Sequence, residues 1–146
     1  MHAVGKITLF FAAGAIYVAT HLSKISDLNG MGKSMPLTFM AFFIGSLSII
    51  GVPPMGGSWS KFYLMLGSVE KDYLLVIYIL AISTLLNVYY LLEIPAKAFF
   101  QQKRTNIQIT KHPLTVYPTF FAAILTIILF IYIEPLKDIT NLIFGN

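Results

Sequence analysis

Not one cysteine occurs among the 146 residues. That absence excludes disulfides, thiolate metal sites, cysteine-ligated clusters and a catalytic thiol, and it leaves the redox state of the compartment unmarked. Charge is nearly as scarce: 11% of residues are Asp, Glu, Lys or Arg, against roughly 25% in a soluble domain. So little charge cannot coat a water-soluble globule. The three histidines, His2, His21 and His112, stand far apart and lack metal-ligand spacing. Gly51, Gly56 and Gly57 are not followed by the Gly-Lys-Ser/Thr ending of a phosphate loop, and no dinucleotide fingerprint or Ser-His-Asp arrangement can be argued. No cofactor and no metal is expected in this chain.

What the sequence does have is apolar length. Hydrophobic residues make up 57% of it, the mean hydropathy is +0.77, and the apolar residues come in blocks of roughly 20, the length that crosses a hydrocarbon core as a helix. The expected class is an all-α integral membrane protein with about four spanning segments. The first covers 3–22, interrupted by Lys6 and His21, with small residues at Ala12, Ala13, Gly14 and Ala15 that let helices approach closely in lipid. A cleaved signal peptide would need a small-x-small site after this block, and none follows.

The second block has no charge from Ser34 to Ser60, yet carries Gly51, Val52, Pro53, Pro54, Met55, Gly56 and Gly57 in its interior. As one straight helix, the stretch from Lys33 to Glu70 would measure roughly 55 Å, more than the roughly 40 to 45 Å of a bilayer with its headgroups. It must break, and the Pro-Pro-Met-Gly-Gly run is where it can. Two half-helices are expected, at 37–50 and 58–69. Irregular backbone at this depth is tolerated where protein buries it or water reaches it, so the break points to a functional cavity. The third block, 73–92, carries Ser83, Thr84 and Asn87 as its polar members and reads as an ordinary spanning helix. A polar connection at 101–112 leads to the fourth block, 114–133, ended by Glu134 and Pro135, with Pro118 in its first turn or at a mild kink. The transmembrane region thus occupies 1–134, and 135–146 is a short tail at the interface.

The formal charge of +4 could suggest nucleic acid, but the basic residues sit between apolar blocks and set orientation instead. Lys24, Lys33, Lys97, Lys103, Arg104 and Lys111 follow the first and third blocks, whereas Lys71 and Lys137 lie on the other side. The positive-inside rule places the larger group in the cytoplasm and both chain ends outside.

Lys61 is the residue that composition does not explain. It lies nine residues before Glu70, so a half-helix running back from that interface places it roughly 13 Å deep, near the midplane. Two readings are open: an intramembrane lysine that marks an ion pathway, or a second block that ends at Pro53 with Lys61 snorkelling from a loop. His2 and Lys6, four apart, share one helical face and are either two stations of a proton relay or a solvated chain terminus, the simpler reading. His21 and His112 fall near interfaces as structural residues. No acidic residue inside a block supplies a counter-ion.

Three runs resemble a known family, the antiporter-like subunits shared by respiratory complex I and Mrp-type cation/proton antiporters, most closely the D-type subunit of the latter. They are the opening His2-Ala3-x-x-Lys6-x-x-Leu9-Phe10, the run from Met35-Pro36 through Gly45-Ser46-Leu47 to Gly51-Val52-Pro53-Pro54 and Ser60-Lys61, and Asn87-Val88-Tyr89-Tyr90-Leu91 with Ala98-Phe99-Phe100. The resemblance implies the C-terminal part of a fold with two inverted five-helix repeats, each holding a discontinuous helix. It implies that Lys61 matches the lysine of the second broken helix, implicated in proton exit, and that His2 and Lys6 match a mid-membrane histidine and lysine. It also implies a transporter subunit without redox chemistry of its own, in a bacterial plasma membrane. The partners are then lipid, other subunits of an antiporter or complex I-like assembly, protons and sodium, and no nucleic acid. Two departures stand out. Ser58 occupies the place of a bulky aromatic, and Met1 falls inside a helix of the family pattern, as in a split or truncated gene. A non-transporting structural remnant is the alternative function.

Overall fold

The computed structural model describes residues 2–102 and 113–144; Lys103, Arg104 and Lys111, used above to orient the chain, and His112, expected near an interface, lie outside them. All regular structure among the described residues is helical: α1 (His2–Thr20), α2 (Pro36–Ile50), α3 (Gly57–Glu70), α4 (Leu74–Phe100), α5 (Pro113–Ile131) and α6 (Ile133–Phe144), with short 3-10 turns at Ile25–Leu28 and Met31–Lys33. Among the described residues three helices are long and apolar enough to cross a membrane: α1, α4 and α5 from Leu114. Helices α2 and α3 have 15 and 14 residues, roughly 22 Å each, so neither crosses a core of roughly 30 Å alone.

Local chemistry sets the break between them. Pro36 opens α2 at a position where its missing N–H is harmless. Gly51 closes it in the left-handed region, φ 88°, and the N–H groups of Gly51 and Val52 both donate to the Leu47 carbonyl. Pro53 and Pro54 cannot continue the ladder. Helix α3 then starts against the last turn of α2, so close that a Cβ on Gly57 would sit 1.7 Å from the Ser48 carbonyl oxygen. Only glycine fits there.

Helix α2 is the hub, packed by α1, α4, α5 and α3, while α1 also packs on α5. The seam is built of small side chains: Ala12, Ala15 and Ala19 of α1, Ala41 of α2, and Ala122 and Ala123 of α5 are all buried. Without a hydrophobic drive between helices in lipid, close packing of small residues is what holds such a seam. Buried hydroxyls turn back onto their own helices, Thr8 to the Val4 carbonyl, Ser46 to Phe42 and Thr126 to Ala123, while the buried Ser48 Oγ of α2, facing Gly5 of α1, has no hydrogen-bond partner among the described residues. Helix α4 presents Leu75, Tyr78, Ile82, Leu85 and Tyr89 outward, a face suited to lipid. The chain is an integral membrane protein.

Two elements differ from the sequence reading. Helix α4 runs on to Phe100 instead of ending at Leu92, because Glu93 and Lys97 form an i,i+4 ion pair on one face and the Lys97 carbonyl accepts the N–H groups of Gly30 and Gln101. The tail is a helix, α6. Its first turn holds Glu134, which suits the positive end of the helix dipole, and Pro135, where a missing N–H is tolerated.

Candidate functional site

Lys61 sits in the second turn of α3, one turn past Gly57. Its ammonium donates to the carbonyl of Ile50, the last residue of α2, at 2.8 Å and to the Thr84 hydroxyl of α4 at 2.8 Å. The Thr84 hydroxyl in turn donates a hydrogen bond to the Leu80 carbonyl, 2.8 Å away. The Ile50 carbonyl is free to accept because the last four carbonyls of a helix have no intrahelical partner, and the left-handed turn at Gly51 opens the space: a Cβ there would lie 2.8 Å from Lys61 Cδ. The break therefore does two things for this lysine, exposing an acceptor and leaving room for the side chain to reach it.

No carboxylate of the described residues enters this shell. The Glu93–Lys97 pair is the only ion pair among the described residues. Two neutral oxygens, one from α2 and one from α4, thus orient the ammonium.

His2 and Lys6 lie on α1 and line one groove of about 620 Å³, together with Phe42 and Ile49 of α2 and Ser83, Asn87 and Tyr90 of α4. Both are exposed and face open space. Lys61 does not line this groove; it approaches α4 through Thr84, the neighbour of groove residue Ser83. The five break residues, Gly51, Pro53, Pro54, Gly56 and Gly57, lie between α2 and α3, and the Gly56 N–H donates to the Thr126 carbonyl of α5 at 3.0 Å. His21, which follows α1 directly, is exposed; its N–H donates to the Tyr17 carbonyl at 2.7 Å and its ring lies edge-on to that of Tyr17, 5.7 Å between centroids.

The polar stripe on α4 is what sequence reasoning undervalues. Ser83, Asn87 and Tyr90 follow an i, i+4, i+7 spacing that puts them on one helical face, and Tyr90 donates to Asn87 Oδ1. That periodicity is visible in the sequence. The contact of Thr84 with Lys61 is not, since the two are 23 residues apart. Trp59 is the other omission: its indole N–H donates to the Phe130 carbonyl at 3.2 Å.

Comparison with known proteins points the same way. The transmembrane region of NADH:quinone oxidoreductases and Mrp antiporters matches residues 1–87. NADH-quinone oxidoreductase subunit N of Desulforudis audaxviator is 39% identical over 100 residues, 68% of this chain and 20% of the relative. The D-type subunit of the Na(+)/H(+) antiporter of Alkalihalophilus pseudofirmus is 33% identical over 141 residues, 92% of this chain and 28% of the relative. NADH-quinone oxidoreductase subunit N of Desulfitobacterium hafniense is 29% identical over 138 residues, 90% of this chain and again 28% of the relative. The chain spans between a fifth and under a third of the length of these relatives. With more than half of it matched by one family, the chain belongs to the NADH:quinone oxidoreductase/Mrp antiporter transmembrane family.

Proposed function

We propose that this chain carries part of a proton or monovalent-cation path across a bacterial plasma membrane, as a piece of a multisubunit cation/proton antiporter or complex I-like assembly. Lys61 is the proton carrier in this reading, with Lys6 and His2 as stations on the α1 side. It does no redox chemistry itself. The supporting observation is the seat of Lys61: an ammonium on an intramembrane half-helix, held between the Ile50 carbonyl and the Thr84 hydroxyl with no carboxylate of the described residues in its shell. A charge is rare at such depth without an ion-handling role.

The test is Lys61→Ala in the intact assembly. Subunit abundance stays near wild type, while most ion-coupled proton flux, followed by a pH-sensitive dye, is lost. Lys61→Arg behaves almost alike, because guanidinium does not release its proton. Lys71→Ala, at the exposed end of α3, is the matched control and is nearly silent. Full flux in Lys61→Ala at normal abundance rejects the assignment. The open groove beside His2 and Lys6 supports a second reading, a packing piece that transports nothing, and that reading makes all three variants silent.

A further inference from the structure

Trp59 and Lys61 are two residues apart on α3, which places them roughly 200° apart around its axis. They grip different neighbours. Lys61 reaches α2 and α4, whereas Trp59 reaches α5, where its indole N–H donates to the Phe130 carbonyl at 3.2 Å. Its ring lies over Phe130, centroids 5.8 Å apart at 32°, and stacks on Tyr63 at 6.0 Å and 26°. The Phe130 carbonyl belongs to the last turn of α5, before the chain turns at Tyr132 into α6, so it is one of the carbonyls that the helix itself leaves unpaired. One turn earlier on α5, the Thr126 carbonyl accepts the Gly56 N–H at 3.0 Å. The start of α3 is thus moored to α5 at two backbone carbonyls four residues apart.

From this we propose that Trp59 is a positioning residue, whose indole N–H fixes the rotation of α3 and thereby holds the Lys61 ammonium on Ile50 and Thr84. A lysine tip stands roughly 8 Å from its helix axis, so a turn of about 20° moves it by roughly 3 Å, enough to break both of its hydrogen bonds. An aromatic residue serving only as an interfacial anchor would direct its N–H toward headgroups and water. This one spends its N–H on a neighbouring helix. The displaced aromatic of this sequence, serine at 58 and tryptophan at 59, puts the ring on the α5 side.

The proposal rests on the Lys61 reading for its functional meaning, but its geometry can be tested apart from transport. The chain is free of cysteine, so Lys61→Cys with Thr84→Cys can be bridged in native membranes by a short bifunctional thiosulfonate. Tyr17→Cys with His21→Cys serves as a reference pair elsewhere in the fold, where both residues are exposed and their rings lie 5.7 Å apart. Trp59→Phe keeps a stacking ring and removes only the donor. The expected result is a fall of about fivefold in 61–84 bridging, the factor corresponding to one net hydrogen bond, with 17–21 bridging unchanged. In the assembly with Lys61 intact, Trp59→Phe also displaces the pH profile of ion-coupled flux. Unchanged 61–84 bridging in Trp59→Phe overturns the proposal. Reduced bridging with full flux in Lys61→Ala upholds the positioning and rejects the carrier role of Lys61.

Discussion

The ammonium of Lys61 and the carbonyl of Ile50, 2.8 Å apart, join the two halves of the broken helix. Eleven residues separate them in sequence, and the turn at Gly51, the two prolines and the two glycines lie between. The carbonyl exists as an acceptor because α2 stops, and the lysine reaches it because α3 restarts beside that stop. The break and the charge are parts of one arrangement, in which an unpaired backbone group and an unpaired cation satisfy each other in a solvent that can satisfy neither.

Thr84 is the second acceptor, and it can be removed without changing shape. Thr84→Val leaves Lys61 with the Ile50 carbonyl alone, a loss of about 1 kcal/mol of orientation. The expected outcome is normal abundance with ion-coupled flux reduced about fivefold, and with Thr84→Ser close to wild type, since serine restores the oxygen. Equal flux in Thr84→Val and wild type, measured in the same vesicles, removes Thr84 from the site.

Gly57 tests the packing of the break. A methyl group there meets the Ser48 carbonyl at a distance no real contact allows, so α3 must shift. Overpacking of this kind destabilises by about 1 to 3 kcal/mol or more. Gly57→Ala should therefore lower the melting temperature of the detergent-solubilised protein and its abundance in membranes. Gly67→Ala, in the same helix with nothing within 4 Å of the added carbon, should be neutral or mildly stabilising. If both substitutions melt like wild type, the close approach of α3 to α2 is wrong.

Much of this architecture is legible in the residues because lipid permits so few solutions. Apolar length marks α1, α4 and α5, and only a break reconciles the uncharged run around Pro53 and Pro54 with bilayer thickness. Less legible is whatever depends on a partner distant in sequence. Thr84 reads as one hydroxyl among apolar neighbours until α3 brings Lys61 to it. Helix α4 outlasts its apolar block because Glu93 and Lys97 neutralise each other, a pairing that a count of charges treats as a boundary. Helix α6 mixes charge with Ile139, Leu142 and Ile143, and the apolar run that marks a span is absent from it. His2 and Lys6 share a face by simple periodicity, yet the sequence alone does not reveal that the face opens on a groove lined by α4.

Topology can be checked with thiols. Ser26 and Lys71 are both exposed, so single cysteines at these positions differ in labelling because of the side of the membrane and not because of burial. The basic residues near 24–33 place the first in the cytoplasm. An impermeant maleimide added to intact cells should leave Ser26→Cys unlabelled and label Lys71→Cys, and lysed cells should label both. Labelling of Ser26→Cys from outside inverts the orientation.

Sufficiency is the remaining question, and the groove beside α1 and α4 decides the expectation. His2 and Lys6 are exposed there in a space of about 620 Å³, with no carboxylate among the described residues lining it. Two basic groups opening sideways into lipid would be strongly disfavoured, so the proposed path needs a polar cover or water beside them. The relatives are more than three times as long as the part matched here, and alternating access in inverted-repeat folds needs both halves around the site. The purified chain in liposomes should therefore insert but show no sodium-dependent proton movement when a sodium gradient is imposed. Co-reconstitution with the rest of the assembly should restore it, and Lys61→Ala should abolish the restored signal. Robust exchange by the chain alone would mean that Lys61, Thr84 and the groove residues form a complete path, and that the open face beside Lys6 is a water-filled entry instead of a seat for another helix.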